Sequence, residues 1–330
     1  MKINLFMKKQ QLRFKNNNII WFIVGILFLP MFVKAEEESE LWLNPYGITG
    51  MTHYQLEYGP GEEISGIKDN VKLSDNLPFL GAGITGIYRG VSVDASFVTS
   101  SGLLGDIEQS GEYSDPNLKN IFYDRDIHLK RRTWNASLGY ELLSNNSENL
   151  VIFAGYKQAK TNYGWVDHEY KTRNRNSAVI GIPSKDNEFN TDGWFLGINY
   201  SREVDIFWGH KGRLGLNFSY AWLDGELETR RTHKEIEGGL RSRTRYENVL
   251  SKTRGRTIGI NWAAGLPFLG EDWSYSIFLE HSDYGFEAKS GYFTDTFFSD
   301  GYTHEILDLN SYDAKETIYS INFSVSYFFD

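Results

Sequence analysis

The strongest constraint on this chain is a two-residue alternation that recurs along it and, after residue 35, never gives way to a long apolar run. Leu214, Leu216, Phe218, Tyr220 and Trp222 alternate with Gly215, Asn217, Ser219 and Ala221. Successive side chains of an extended strand point to opposite faces, so one face is large and apolar and the other small and polar. Ile258, Ile260, Trp262, Ala264 and Leu266 alternate in the same way with Thr257, Gly259, Asn261, Ala263 and Gly265. Trp194, Leu196, Ile198 and Tyr200 oppose Gly193, Gly197, Asn199 and Ser201, with Phe195 the exception. Near the C-terminus Tyr319, Ile321, Phe323, Val325, Tyr327 and Phe329 oppose Ser320, Asn322, Ser324 and Ser326. A soluble sandwich would carry Lys, Glu and Thr on its polar face. Gly, Ser, Asn, Thr and Ala there, against large aromatics, fit lipid outside and a lumen inside. Hydrocarbon demands that every backbone group be paired, and a closed barrel meets that demand.

Ten such segments are predicted, starting near Tyr46, Phe79, Val91, Ile127, Leu150, Gly193, Arg213, Thr257, Trp273 and Thr317. Connections at 89–90, 143–149, 204–211 and 267–272 are short, while polar stretches at 59–77, 102–125, 164–192, 228–255 and 289–314 read as long loops. The expectation is an all-β chain: a closed antiparallel transmembrane β-barrel of about ten strands in a bacterial outer membrane. Its short turns would be periplasmic and its long loops extracellular. Trp134, Trp194, Trp222, Trp262 and Trp273 fall on outward positions, as an aromatic girdle requires.

The N-terminus reads as a targeting segment. Lys2, Lys8, Lys9, Arg13 and Lys15 precede an apolar run from Ile19 to Val33, and Val33-Lys34-Ala35 has the form of a cleavage site. Residues 1–35 are therefore expected to be a signal peptide and 36–330 the barrel. Removing those five cations and Lys34 takes the formal charge from −9 to −15. A chain so acidic overall is not expected to be a general nucleic-acid binder, since phosphate contacts need clustered cations. The absence of cysteine excludes disulfides, thiolate metal sites and a cysteine nucleophile. No motif calls for a cofactor. Phe323, Val325, Tyr327 and Phe329 resemble the terminal-strand signature read by the barrel-insertion machinery, an expected partner.

Two functional readings follow from the residues. Inward positions are mostly small, and parity turns the charges His53, Glu57, Asp94, Arg131, Lys157 and Glu280 inward as well. Charged lumen groups of both signs set a field across a pore. This predicts a narrow, porin-like channel for passive diffusion of ions and small hydrophilic solutes. A homo-oligomer is compatible with these residues but not demanded by them. The other reading rests on the stretch 229–256, where Arg230, Arg231, Arg241, Arg243 and Arg245 lead an excess of cations. Guanidinium groups bind phosphates bidentately, so such a rim could hold lipopolysaccharide or serve a host-binding adhesin.

A family resemblance adds to this. Phe153-Ala154-Gly155-Tyr156-Lys157-Gln158 resembles the fifth strand of the omptins, a family of outer-membrane proteases. Phe195 to Tyr200 and Leu214 to Trp222 resemble the next hairpin. The resemblance implies ten strands and a surface groove in which an Asp pair faces an Asp-His pair. For the first pair this chain offers Asp106-Ile107-Glu108 or Asp124-Arg125-Asp126. For the second, Arg231 stands two residues before His233, where the pattern has Asp. A cation there removes the acidic partner, so the architecture is carried over, and the alternative function that the resemblance implies is an omptin-like surface barrel, a degenerate protease in preference to an active aspartate/histidine endopeptidase.

Overall fold

The computed structural model describes residues 41–328, apart from 61–66, 103–104, 114–119, 146, 166–167, 172–177, 183–186, 207–209, 236–240, 267, 271, 298–301 and 307–311. The signal-peptide expectation for residues 1–35 lies outside them. Among the described residues there are fourteen strands. β1 (Trp42–Pro60), β2 (Ile67–Tyr88), β3 (Val91–Ser101), β4 (Gly105–Tyr113), β5 (Asn120–Ser144), β6 (Glu148–Trp165) and β7 (His168–Lys171) form the first half. β8 (Ala178–Ile182), β9 (Asn187–Ile206), β10 (His210–Glu235), β11 (Arg241–Gly265), β12 (Trp273–Phe297), β13 (Tyr302–Ile306) and β14 (Tyr312–Tyr327) complete the chain.

Ten of these run antiparallel in the order β11-β12-β14-β1-β2-β3-β5-β6-β9-β10, and β10 pairs with β11 to close the ring. These are the ten expected strands. β4 pairs with both β2 and β5, and so continues the wall above β3. β8 pairs with β10, β7 with β8, and β13 with β12.

Turn chemistry on the short side is legible in the backbone. Arg89 and Gly90 have φ of 48° and 77°. Positive φ at both central residues defines the tight hairpin turn whose twist matches its strands. Between β5 and β6, Asn145 Oδ1 accepts the backbone N–H groups of Ser147 (2.9 Å) and Glu148 (2.7 Å), the side-chain turn that asparagine favours.

The strands are much longer than a membrane needs. β10 has 26 residues, whereas a tilted spanning strand takes about 9–11. The surplus follows from a reversal of polarity along the long strands. From Leu214 to Trp222 the outer face of β10 is Leu, Leu, Phe, Tyr and Trp, and its inner face is Gly, Asn, Ser and Ala. Beyond Trp222 the outer face becomes Asp224, Glu226, Glu228 and Arg230, while Leu223 and Leu227 turn inward and are buried. β1 changes over at His53, β2 at Pro78, β12 at His281 and β14 at Tyr319. The half nearer the short turns is thus built for lipid. The other half is built like a water-soluble barrel, with an apolar core of Tyr54, Leu56, Leu73, Phe189, Leu223 and Phe286 among others.

This corrects the expected loops. The stretch 228–255 lies mostly in β10 and β11, paired from Thr229↔Glu247 to Glu235↔Arg241. Where side chains are described, at 228–230 and 248–255, the alternation continues with its faces exchanged, so a charged outer face reads as a connection.

Candidate functional site

The lipid-facing half encloses a chamber of 390 Å³. Asp94 on β3, Arg131 on β5, Lys157 on β6 and Glu280 on β12 all line it, together with hydroxyl and amide side chains such as Asn135, Asn217, Ser219 and Asn322. Four of the charges singled out in the sequence therefore meet in one space.

His53 and Glu57 do not join them. Their even-numbered neighbours on β1, Tyr54, Leu56 and Tyr58, are the buried ones, which turns His53 and Glu57 outward. His53 lies 6.4 Å from the ring of the outward-facing Tyr319, and Glu57 pairs with Lys72 at 3.3 Å on the exterior. The expected parity assumed that large side chains face out along the whole strand. Above the lipid zone they face in.

Each interior charge has its own partner. Arg131 is bound to Glu316 of β14 at 2.6 Å, with the two side chains 10% and 1% exposed. Arg131 also donates to Thr161 Oγ1 at 2.7 Å and stands 5.0 Å over the Tyr54 ring. β5 and β14 are not neighbours in the ring, so this pair bridges the lumen. Lys157 donates to the Tyr284 hydroxyl, its ammonium 4.0 Å from that ring's centre. Asp94 accepts from the hydroxyls of Tyr46 and Thr85, each at 2.8 Å. Among the described residues Glu280 accepts from Ser282, at 3.2 Å.

Sequence reasoning read the inward glycines as empty space. The structure places phenylalanine rings against them instead. A Cβ on Gly197 would lie 2.2 Å from the Phe153 ring, and one on Gly155 would lie 2.5 Å from the Phe195 ring. Phe278 covers Gly259 and Phe79 covers Gly50 in the same way. Phe195, the exception in its strand's alternation, is one of these lumen-filling rings.

The second candidate group is split by the described region. Arg230 is exposed at the end of the charged outer face of β10. Arg231, Arg241, Arg243 and Arg245 belong to β10 and β11 by backbone, where Arg231 opposes Arg245 and His233 opposes Arg243. The side chains of these four arginines lie outside the described residues, as do those of Asp106, Glu108, Asp124, Asp126 and His233.

Three further cations of the 229–256 excess have described side chains. Lys252, Arg254 and Arg256 are all exposed and alternate along the outer face of β11, directly above Ile258 and Ile260 of the lipid belt. Alternate strand positions lie about 6.8 Å apart. Across the ladder, Arg256 faces Tyr220 and Arg254 faces Trp222, which stand at the belt's edge. The acidic neighbours on β12 are engaged elsewhere: Asp283 with Lys315 at 3.4 Å and Glu287 with Lys289 at 3.3 Å. Among the described residues no carboxylate lies within 4.0 Å of Lys252, Arg254 or Arg256.

Around this geometry the outer surface is apolar. Trp194 and Trp222, cross-strand partners, are 60% and 48% exposed. They mark the upper edge of a belt that includes Leu80, Leu196, Leu216, Ile260 and Leu279. Trp42, Trp262 and Trp273 lie toward the short turns at its lower edge. Exposed apolar area on this scale marks a surface meant for a nonpolar phase.

No protein-family model matches the chain, and no curated protein matches its sequence. Among solved structures it is similar to the outer membrane protease OmpT from Escherichia coli, with a TM-score of 0.61 at 13% identity. That match covers 89% of this chain and 99% of the other. The chain has the outer-membrane β-barrel fold. Other matches to outer-membrane barrels are looser. The translocator domain of the autotransporter NalP from Neisseria meningitidis gives a TM-score of 0.30 at 10% identity, over 94% of this chain and 95% of that one. The Pseudomonas putida toluene transporter TodX gives 0.27 at 8%, over 88% and 90%. The lipid belt and the periodic exchange of faces place this outer-membrane barrel across the membrane with its long strand ends projecting on one side.

Proposed function

We propose that this barrel is a closed surface protein that seats itself on the phosphorylated headgroups of the outer leaflet and projects a water-soluble half-barrel beyond them. The observation that carries the reading is the exchange of faces along each strand. It fills the projecting half with side chains, including Leu56, Phe189, Leu223 and Phe286, and puts charge on its exterior. A projecting half filled by packed side chains leaves no through path for hydrated ions. The same exchange sets Lys252, Arg254 and Arg256 just above the hydrocarbon, at headgroup level.

Near an anionic surface each such cation contributes about 1 kcal/mol. Changing all three to Ala should weaken lipopolysaccharide binding by the refolded barrel about 100-fold, since each factor of ten is about 1.4 kcal/mol. The effect should shrink at high salt. Equal affinity for the triple variant and the parent would overturn the headgroup reading.

A second reading is favoured by the polar chamber: passive diffusion of ions and small hydrophilic solutes. Planar-bilayer recordings separate the two. Discrete conductance steps from the parent protein support the channel and defeat the closed barrel. Silence from the parent, with steps only after Phe189, Leu223 and Phe286 are cut to Ala, supports closure.

A further inference from the structure

We propose that the chamber in the lipid-facing half is a binding site for a small organic ammonium ion, held by Glu280 and Asp94 among phenylalanine rings. The charges decide it. Arg131 and Glu316 cancel as a direct pair. What remains on the lining is one cation, Lys157, against two carboxylates, Asp94 and Glu280. Lys157 is turned onto the Tyr284 ring, and among the described residues no cation lies within 4.0 Å of Asp94 or Glu280. Among the described residues the hydrogen-bond donors to these two acids are neutral hydroxyls, and Lys157 acts on Glu280 only through its charge at longer range. A carboxylate held away from bulk water without a cation is costly, so the site is built for a positive guest.

The rest of the lining says which kind. No third carboxylate or imidazole joins Asp94 and Glu280 among the described residues, so a metal ion lacks a ligand set. Phe79, Phe153, Phe195 and Phe278 line the same space. Aromatic rings attract alkylammonium groups through their π faces and ligate metals poorly. At 390 Å³ the chamber falls in the range of small-molecule sites, roughly 300–1,000 Å³. Asn322 Oδ1, on the lining, is buried without a hydrogen-bond partner and offers one more acceptor. Because the apolar core closes the projecting half, the guest enters from the short-turn end, where inward positions are small, as at Ser274, Ser326 and Gly215.

The test uses the mature barrel refolded in detergent micelles and titrated calorimetrically with choline and with neohexyl alcohol. The alcohol is choline's neutral isostere, with carbon in place of nitrogen. Choline should bind at least about 10-fold tighter, and Glu280→Gln should erase that preference. Lys157→Met should raise choline affinity by removing the competing cation, an outcome that a misfolded variant would not give. Heat-modifiable gel mobility verifies that each variant is folded. The proposal is overturned if choline does not bind the parent, if the two probes bind alike, or if Glu280→Gln leaves the preference intact.

Discussion

Removing the Glu316 carboxylate by Glu316→Ala tests whether the barrel interior is closed. The pair it breaks is short, 2.6 Å, and sealed, with side-chain exposures of 10% for Arg131 and 1% for Glu316. Arg131 would retain Thr161 and the Tyr54 ring, neither of which carries a negative charge. Unit charges about 4 Å apart at an effective dielectric of about 20 interact by about 4 kcal/mol. Leaving one member of a buried pair alone costs about 3–5 kcal/mol. With a urea slope of about 3 kcal/mol/M for a chain of this size, the unfolding midpoint should fall by about 1–2 M. The assay is urea unfolding of the barrel refolded into phosphatidylcholine vesicles, followed by tryptophan fluorescence. Arg131→Met combined with Glu316→Leu should recover most of the loss, because an apolar replacement of both charges leaves nothing stranded. A loss under about 1 kcal/mol for Glu316→Ala would refute the reasoning. Water would then be reaching the guanidinium, and the lumen would be open at that level.

Two substitutions on one strand test where the membrane ends. Leu216→Arg, in the lipid belt of β10, should cost about 2–4 kcal/mol, whereas Asp224→Arg on the same face should stay within about 0.5 kcal/mol. Similar costs at both positions, measured by the same urea series, would erase the boundary. Glu57→Gln should change stability by less than about 1 kcal/mol, since its partner Lys72 is 3.3 Å away and both side chains are more than 40% exposed. A loss of several kcal/mol would return Glu57 to the interior.

The strands were legible because lipid imposes a simple code. Between Leu214 and Trp222, and between Thr257 and Leu266, apolar and small polar residues alternate without error, and the first run is strand throughout and the second as far as Gly265. The projecting half was obscured because its code is inverted. Glu228, Arg230, Lys252 and Arg254 read as a polar connection when the intervening, buried Thr229, Thr253 and Gly255 are given no weight. The same inversion defeated the assignment of His53 and Glu57. Asp94, Arg131, Lys157 and Glu280 lie within the lipid zone or at its border, where parity holds. Their pairing was beyond the sequence: Arg131 and Glu316 are 185 residues apart and meet only because the ring closes. The Phe–Gly contacts have a weak sequence signal, a phenylalanine on the small-residue face, which is how Phe195 first appeared.

The two-residue turn at Arg89-Gly90 acts on β3 as a start codon acts on a message. With Tyr88 set opposite Val91, it fixes the reading frame of the strand that follows. Inserting a single residue there would shift that frame by one, and every letter of the strand would be displayed on the wrong side of the wall. Asp94 and Ser96 would be thrust among acyl chains, and Phe97 would swing into the chamber. A few degrees of freedom at one hairpin thus decide whether the ammonium-binding acid belongs to the protein's interior or to the lipid.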